Sequence, residues 1–194
     1  GQKTLSEFES KKLLASYGIP VVREKLARDK EETLSIVREI GYPVVLKGCS
    51  PEIAHKTEHH LIAVDLRNKA EGSRAYDRIW KNMKGTKSAI LIQEMVKGNR
   101  ELVVGLIRDP QFGPCVMFGL GGIFTEILRD VSFRIAPIGM REALEMMREI
   151  KAQKILEATR GMEAVDLDVL GKSLIALGQI GLEHDCIKEI DVNP

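Results

Sequence analysis

The sequence predicts an α+β fold, or split α/β lobes, rather than one doubly wound sheet. Three observations carry this. Helical and strand patterns mix along the 194 residues without a steady strand–helix–strand period. A hydrophobic content of 44% supplies a core for one domain or two small lobes. The glycine-rich stretch Gly119-Leu120-Gly121-Gly122 is neither a dinucleotide fingerprint, since Phe124 stands where the last glycine belongs, nor a P-loop, since no Lys-Ser/Thr follows.

The elements follow in order. Leu5, Phe8, Leu13, Leu14 and Tyr17 recur at roughly helical spacing, with Ser6 and Glu9 in a capping-box pattern. Gly18 and Pro20 stop that helix. Val21-Val22 reads as a short strand. Glu31 to Ile40 is a second helix, ended by Gly41. Pro43 to Lys47 is a strand, and Gly48 to His60 an irregular polar segment. Leu61 to Leu66 is a strand, followed by a helix to about Met83. Strands cover Ala89 to Val96 and Glu101 to Ile107, and a turn-rich connection runs from Asp109-Pro110 to Gly113-Pro114. Strands continue through Ile135, and helices over 141–151 and 166–182 precede a closing strand from Ile187 to Val192.

Composition excludes several classes. A net charge of +1 with 29% charged residues mixes both signs, which argues against a nucleic-acid-binding face. Aromatics at 5% make base-stacking platforms unlikely. No apolar run approaches the ~20 residues a membrane helix needs, and Gly1-Gln2-Lys3-Thr4 carries no hydrophobic signal region. Three distant cysteines, Cys49, Cys115 and Cys186, fit a reduced, cytoplasmic protein.

Several constellations could carry chemistry. The glycines Gly119, Gly121 and Gly122, followed by Asp130 and Arg134, could cradle an anion through backbone N–H groups; the alternative is a tight strand-to-strand turn. Lys47 ends an apolar strand, where an ammonium suits phosphate; the alternative is a snorkelling surface lysine. Gln93-Glu94-Met95-Val96 runs into Gly98 and Glu101, a hinge that could read an adenine edge and hold ribose hydroxyls. His55-Lys56-Thr57-Glu58-His59-His60 holds three of the four histidines. It reads as a solvated loop, a phosphoryl acceptor or a metal site. Asp191 and Asn193 share one face of the closing strand and suit Mg²⁺; the alternative is an amphipathic edge.

Taken together and in this order, these segments resemble the ATP-grasp domain of NDP-forming acyl-CoA synthetases, the ADP-forming acetate–CoA ligases. In that family it is the β subunit or the C-terminal domain of a fused chain. The resemblance covers nearly the whole chain. It includes Leu5-Ser6-Glu7-Phe8-Glu9-Ser10-Lys11, Tyr17-Gly18-Ile19-Pro20, Gly41 to Lys47, Ser50 to Glu58, Arg108 to Pro114, the glycine loop with Asp130 to Arg134, Arg160-Gly161 and Glu189 to Pro194. It is similar, more distantly, to succinyl-CoA synthetase β chains.

The resemblance implies an ATP-grasp fold whose two lobes clamp a nucleotide. A smaller lobe spans 21–96, and a larger one takes 1–20 and 97–194. It implies ATP/ADP and Mg²⁺ as cofactors. Lys47 would contact the phosphates, Glu94 with Met95 and Val96 the adenine, and Glu101 the ribose. Gly119, Gly121, Gly122 and Arg134 would form a phosphate loop. Asp191 and Asn193 would bind the metal, and His55 would relay phosphate. The implied reaction is acyl-CoA + ADP + Pi ⇌ carboxylate + CoA + ATP, through phosphohistidine. The CoA site would lie on an α subunit or fused companion domain, making a hetero-oligomer. The alternative is a regulatory ATP-grasp module attached to a lysine acetyltransferase. Two departures stand out. His59, His60 and Leu61 replace an aliphatic residue and two glycines, and the sequence stops at Pro194, before a further metal-binding strand.

Overall fold

A computed structural model describes residues 4–49, 61–83, 88–96, 98, 100–122, 130–158 and 161–192. The chain divides into two compact units. Unit 1 comprises Gly1–Leu13 and Val21–Lys97; unit 2 comprises Leu14–Pro20 and Gly98–Pro194. Each is built on one antiparallel four-stranded sheet.

Unit 1 holds strands β1 (Glu24–Ala27), β2 (Val44–Cys49), β3 (Ile62–Leu66) and β4 (Ala89–Glu94), in the order β1-β4-β2-β3. Helices α2 (Lys30–Ile40) and α3 (Lys69–Asn82) pack against it, each started by a side-chain cap. Asp29 accepts from the Glu32 N–H, and Asn68 from the Glu71 N–H. The core lies under these helices. Val37, Val44, Leu46, Leu61, Ile79, Ile90 and Ile92 have no exposed surface. Burial of each large aliphatic side chain contributes roughly 1.5–3 kcal/mol relative to exposure. Side chains alternate across a strand. With Leu46 and Ile92 committed to this core, Lys47 and Gln93 stand on the opposite sheet face.

The opening helix α1 (Glu7–Ser16) is capped as its sequence pattern requires, with Ser6 N donating to Glu9 Oε2 at 2.9 Å and Glu9 N to Ser6 Oγ at 3.3 Å. The sequence reading assigned 1–20 to the later unit. Only Leu14–Pro20 group with it; Gly1–Leu13 group with unit 1. The cause is polar: Glu7 and Lys11 are bonded to Lys47, Glu24 and Gln93, pairings that helical periodicity does not display. The first strand also begins later than Val21-Val22. Pairing with β4 sets in at Glu24, and Val21 is exposed.

Unit 2 holds β5 (Leu102–Asp109), β6 (Gly113–Leu120), β7 (Val131–Ile135) and β8 (Glu189–Val192), in the order β7-β6-β5-β8. Helices α4 (Met140–Glu149) and α5 (Leu167–Glu183) cover one face. Close packing of α5 needs small residues: a Cβ on Gly181 would lie 2.5 Å from Leu106 Cδ1 and 2.6 Å from Pro114 Cβ. Leu106 therefore faces α5, and Gly105 takes the opposite face. Among the described residues no helix is long and apolar enough to cross a membrane, and no disulfide joins the three cysteines.

Candidate functional site

In unit 1, β2 delivers Lys47 to the sheet face away from the core. Its Nζ lies 2.8 Å from Glu7 Oε1, with side-chain exposures of 22% and 23%. Lys47 is thus neither snorkelling nor sealed off. Glu7 Oε1 also accepts from Lys11 Nζ and Gln93 Nε2, each at 2.9 Å. Glu24 Oε2 accepts from Lys11 at 3.0 Å and from Gln93 at 2.5 Å. Two carboxylates, two ammonium groups and one amide form one charge-balanced cluster, drawn from α1, β1, β2 and β4. Charge-assisted bonds of this kind are stronger than neutral ones.

The residues expected at an adenine hinge end β4. The Glu94 carboxylate is held at both oxygens by Arg23: the backbone N–H reaches Oε1 at 2.8 Å and Nε reaches Oε2 at 2.7 Å. The Arg23 N–H, then its guanidinium, hold the Glu94 carboxyl below the usual glutamate range. Met95 N donates to Pro43 O at 3.2 Å, while Val96 is exposed. The side chain of Glu94 therefore fixes the strand end.

In unit 2, Glu101 is exposed just ahead of β5. Its carbonyl accepts the Gly121 N–H at 2.8 Å. Its carboxylate lies against Gly122, which has φ 64° and leaves the space a Cβ would fill. The expected phosphate loop is only partly a loop. Gly119 belongs to β6, paired with Val131, where a Cβ would come within 2.6 Å of both Asp130 O and Val131 Cγ1. Its glycine answers a close backbone approach. The Leu120 N–H donates to Asp130 O, so the N–H groups of Leu120 and Gly121 are both bonded within the unit.

The charged residues after that loop are also engaged. Arg134 makes a forked pair with Glu149 of α4, with Nη1 at 2.9 Å from Oε2 and Nη2 on Oε1. Asp130 is buried and accepts from Lys151 N at 2.7 Å and Ala152 N at 2.8 Å, tying down the turn after α4. A forked arginine–carboxylate pair competes directly with phosphate for the same donors. Asp191 is exposed on β8 opposite Gly105, and its Oδ1 lies 3.6 Å from where a Cβ on Gly105 would sit. It thus stands on the sheet face away from α5. Among the described residues no cluster of three or more metal-binding side chains occurs. His55 and Asn193 lie outside the described residues. Glu7 and Arg23 were not singled out by motif reading, although Glu7 sits inside the Leu5 to Lys11 segment that carries the resemblance; Gln93 was named only as the start of the hinge segment.

A magnesium–nucleotide fits the donors present. Mg²⁺ binds through one or two carboxylates together with substrate phosphates, so the exposed carboxylate of Asp191 suits a metal that arrives on a nucleotide.

Residues 1–194 match the family model described as the ATP-grasp domain. The chain is 47% identical over 197 residues to the subunit beta of acetate–CoA ligase [ADP-forming] I from Pyrococcus furiosus, covering 99% of this chain and 85% of that one. It is 42% identical to acetate–CoA ligase [ADP-forming] I from Archaeoglobus fulgidus, covering 94% of this chain and 27% of that one. Among solved structures it is similar to the dinucleotide-forming acetyl-coenzyme A synthetase 1 of Ca. Korarchaeum cryptofilum. The complex of that protein with coenzyme A and Ca-AMPCP superposes with a TM-score of 0.92 at 47% identity, covering 98% of this chain and 85% of that chain. A second structure holds coenzyme A and Mg-AMPPCP, with a phosphohistidine segment pointing towards the nucleotide binding site; its TM-score is 0.88.

Proposed function

The chain belongs to the ATP-grasp domain family, and from that premise we propose that it is the nucleotide-binding, phosphoryl-transferring half of an ADP-forming acid–CoA ligase. The reaction is acyl-CoA + ADP + Pi ⇌ carboxylate + CoA + ATP. One observation carries the reading: 47% identity along essentially the whole chain to the beta subunit of an ADP-forming acetate–CoA ligase. The CoA-binding partner is an α subunit, or a fused domain as the 27% coverage of the Archaeoglobus relative suggests. The alternative reading as a regulatory module finds no support among these relatives.

Each described residue then has a role that its surroundings permit, while His55 and Asn193 take theirs from the family likeness alone. Lys47 binds nucleotide phosphate as a point charge. The Met95-Val96 backbone, on a strand end fixed by Glu94 and Arg23, serves the adenine edge. Glu101 accepts from ribose hydroxyls, with Gly122 leaving its carboxylate room. Asp191, with Asn193, holds Mg²⁺, which when bound screens the phosphate charge. His55 accepts a phosphoryl group on an imidazole nitrogen. Phosphate binding through Gly121 and Gly122 requires their loop to present N–H groups beyond those already bonded, and Arg134 contributes only after releasing Glu149.

Calorimetry with ADP and Mg²⁺ tests the nucleotide roles. Losing a charged hydrogen bond costs about 1.5–3 kcal/mol, or roughly tenfold or more in affinity. Lys47→Ala and Glu101→Ala should each weaken ADP binding by about that factor. Parent affinity in both variants would remove both assignments.

A further inference from the structure

The nucleotide reading leaves the best-connected carboxylate of unit 1 without a role. Three donors converge on Glu7 Oε1: Lys47 Nζ at 2.8 Å, with Lys11 Nζ and Gln93 Nε2 at 2.9 Å. They come from β2, α1 and β4. Gln93 is 4% exposed, and its buried amide also binds Glu24.

Two effects of Glu7 on an anion at Lys47 oppose each other. Its negative charge repels a phosphate. Its hydrogen bond holds the four-carbon lysine stem in one place before the anion arrives, sparing the ordering cost at binding. Lys11 decides between them. An ammonium 2.9 Å from Glu7 Oε1 offsets the carboxylate, and Glu24 is likewise shared by Lys11 and Gln93. Lys11, shared between Glu7 and Glu24, offsets part of the repulsion, while the ordering remains. Lys47 keeps 22% of its side chain accessible, so Glu7 restrains the ammonium without covering it. The cluster ties α1 to the sheet, and the same hydrogen bonds fix where the Lys47 ammonium stands. Protein kinases divide the work in the same way: a strand lysine meets phosphate while a helix glutamate holds the lysine.

We propose that Glu7 is a positioning residue for nucleotide binding: its carboxylate holds the Lys47 ammonium toward phosphate and, through the buried Gln93 amide, ties it to the strand that ends at Glu94. This rests on the reading of Lys47 as a phosphate contact.

The test is calorimetry of Mg-ADP binding to the full chain carrying Glu7→Gln, Glu7→Asp, Lys47→Ala, and Glu7→Gln with Lys47→Ala together. Glu7→Gln should weaken binding about tenfold, as expected for a lost charged hydrogen bond. Glu7→Asp, which keeps the charge, should recover part of that loss. In the Lys47→Ala background, Glu7→Gln should cost nothing further. Loosening of α1 alone would penalise both backgrounds equally. Such equal penalties overturn the proposal. So does parent or tighter affinity in Glu7→Gln while Lys47→Ala is weakened. Parent affinity in Lys47→Ala would instead overturn the phosphate-contact reading itself.

Discussion

Arg23 grips both oxygens of Glu94, and this predicts a pH-dependent contribution to the stability of unit 1. The folded-state pKa of Glu94 lies below its unfolded value. The contribution is therefore whole above the ordinary glutamate range and fades as pH falls through the lowered value. Urea unfolding followed from about pH 7 to about pH 3 should show the parent losing more stability than Glu94→Gln, which has no such proton to take up. Curves that fall in parallel would show that the grip contributes nothing. Lys47, Glu101 and Asp191 could be picked out in the sequence because each stands at the end of a strand pattern or beside a glycine. Their partners could not. Glu7 is 40 residues from Lys47, and Arg23 is 71 from Glu94, distances over which no periodicity speaks. The partner of Arg134 was hidden for the same reason: Glu149 sits on a different element.

The elements follow their local signals where those signals are strong. Capped helices with long apolar stripes fall within a residue or two of their expected ends. The glycine stretch is the exception: a strand partner, Val131, claims Gly119, and only a register shows this. Glycines within the helices separate packing from propensity. Gly72 in α3 has room for a methyl group, its ideal Cβ meeting Leu34 Cδ2 at an ordinary contact distance of 3.8 Å. Gly72→Ala should therefore stabilise by up to about 1 kcal/mol through helix propensity. Gly181 in α5 gains the same propensity, but its Cβ would strike Leu106 and Pro114. Overpacking typically costs about 1–3 kcal/mol, so Gly181→Ala should be destabilising by up to about 2 kcal/mol net. Chemical denaturation of the two variants checks the pair. Stabilisation by Gly181→Ala would mean that α5 moves away from the sheet at little cost.

At the scale of the whole molecule, two units, each an antiparallel sheet with a pair of helices packed on one face, make up a chain whose full length matches an ATP-grasp domain. The mixed order of helices and strands already spoke against a doubly wound sheet. The grouping of Gly1–Leu13 with unit 1 was not legible, because it is written in charges on one helix. We propose His55 as the residue on which phosphoryl transfer turns. With a CoA-binding companion present, His55→Ala should abolish ATP formation while ADP affinity and Tm stay near the parent values, since alanine offers no nucleophile. Most of the activity surviving in that variant would mean that phosphate reaches ADP without it. The central claim itself is tested most directly by following ATP formation from acetyl-CoA, ADP and phosphate with Mg²⁺, using the chain, its CoA-binding companion, and the two combined. ATP should appear only in the combination. A combination that binds both coenzyme A and ADP yet forms no ATP would contradict it.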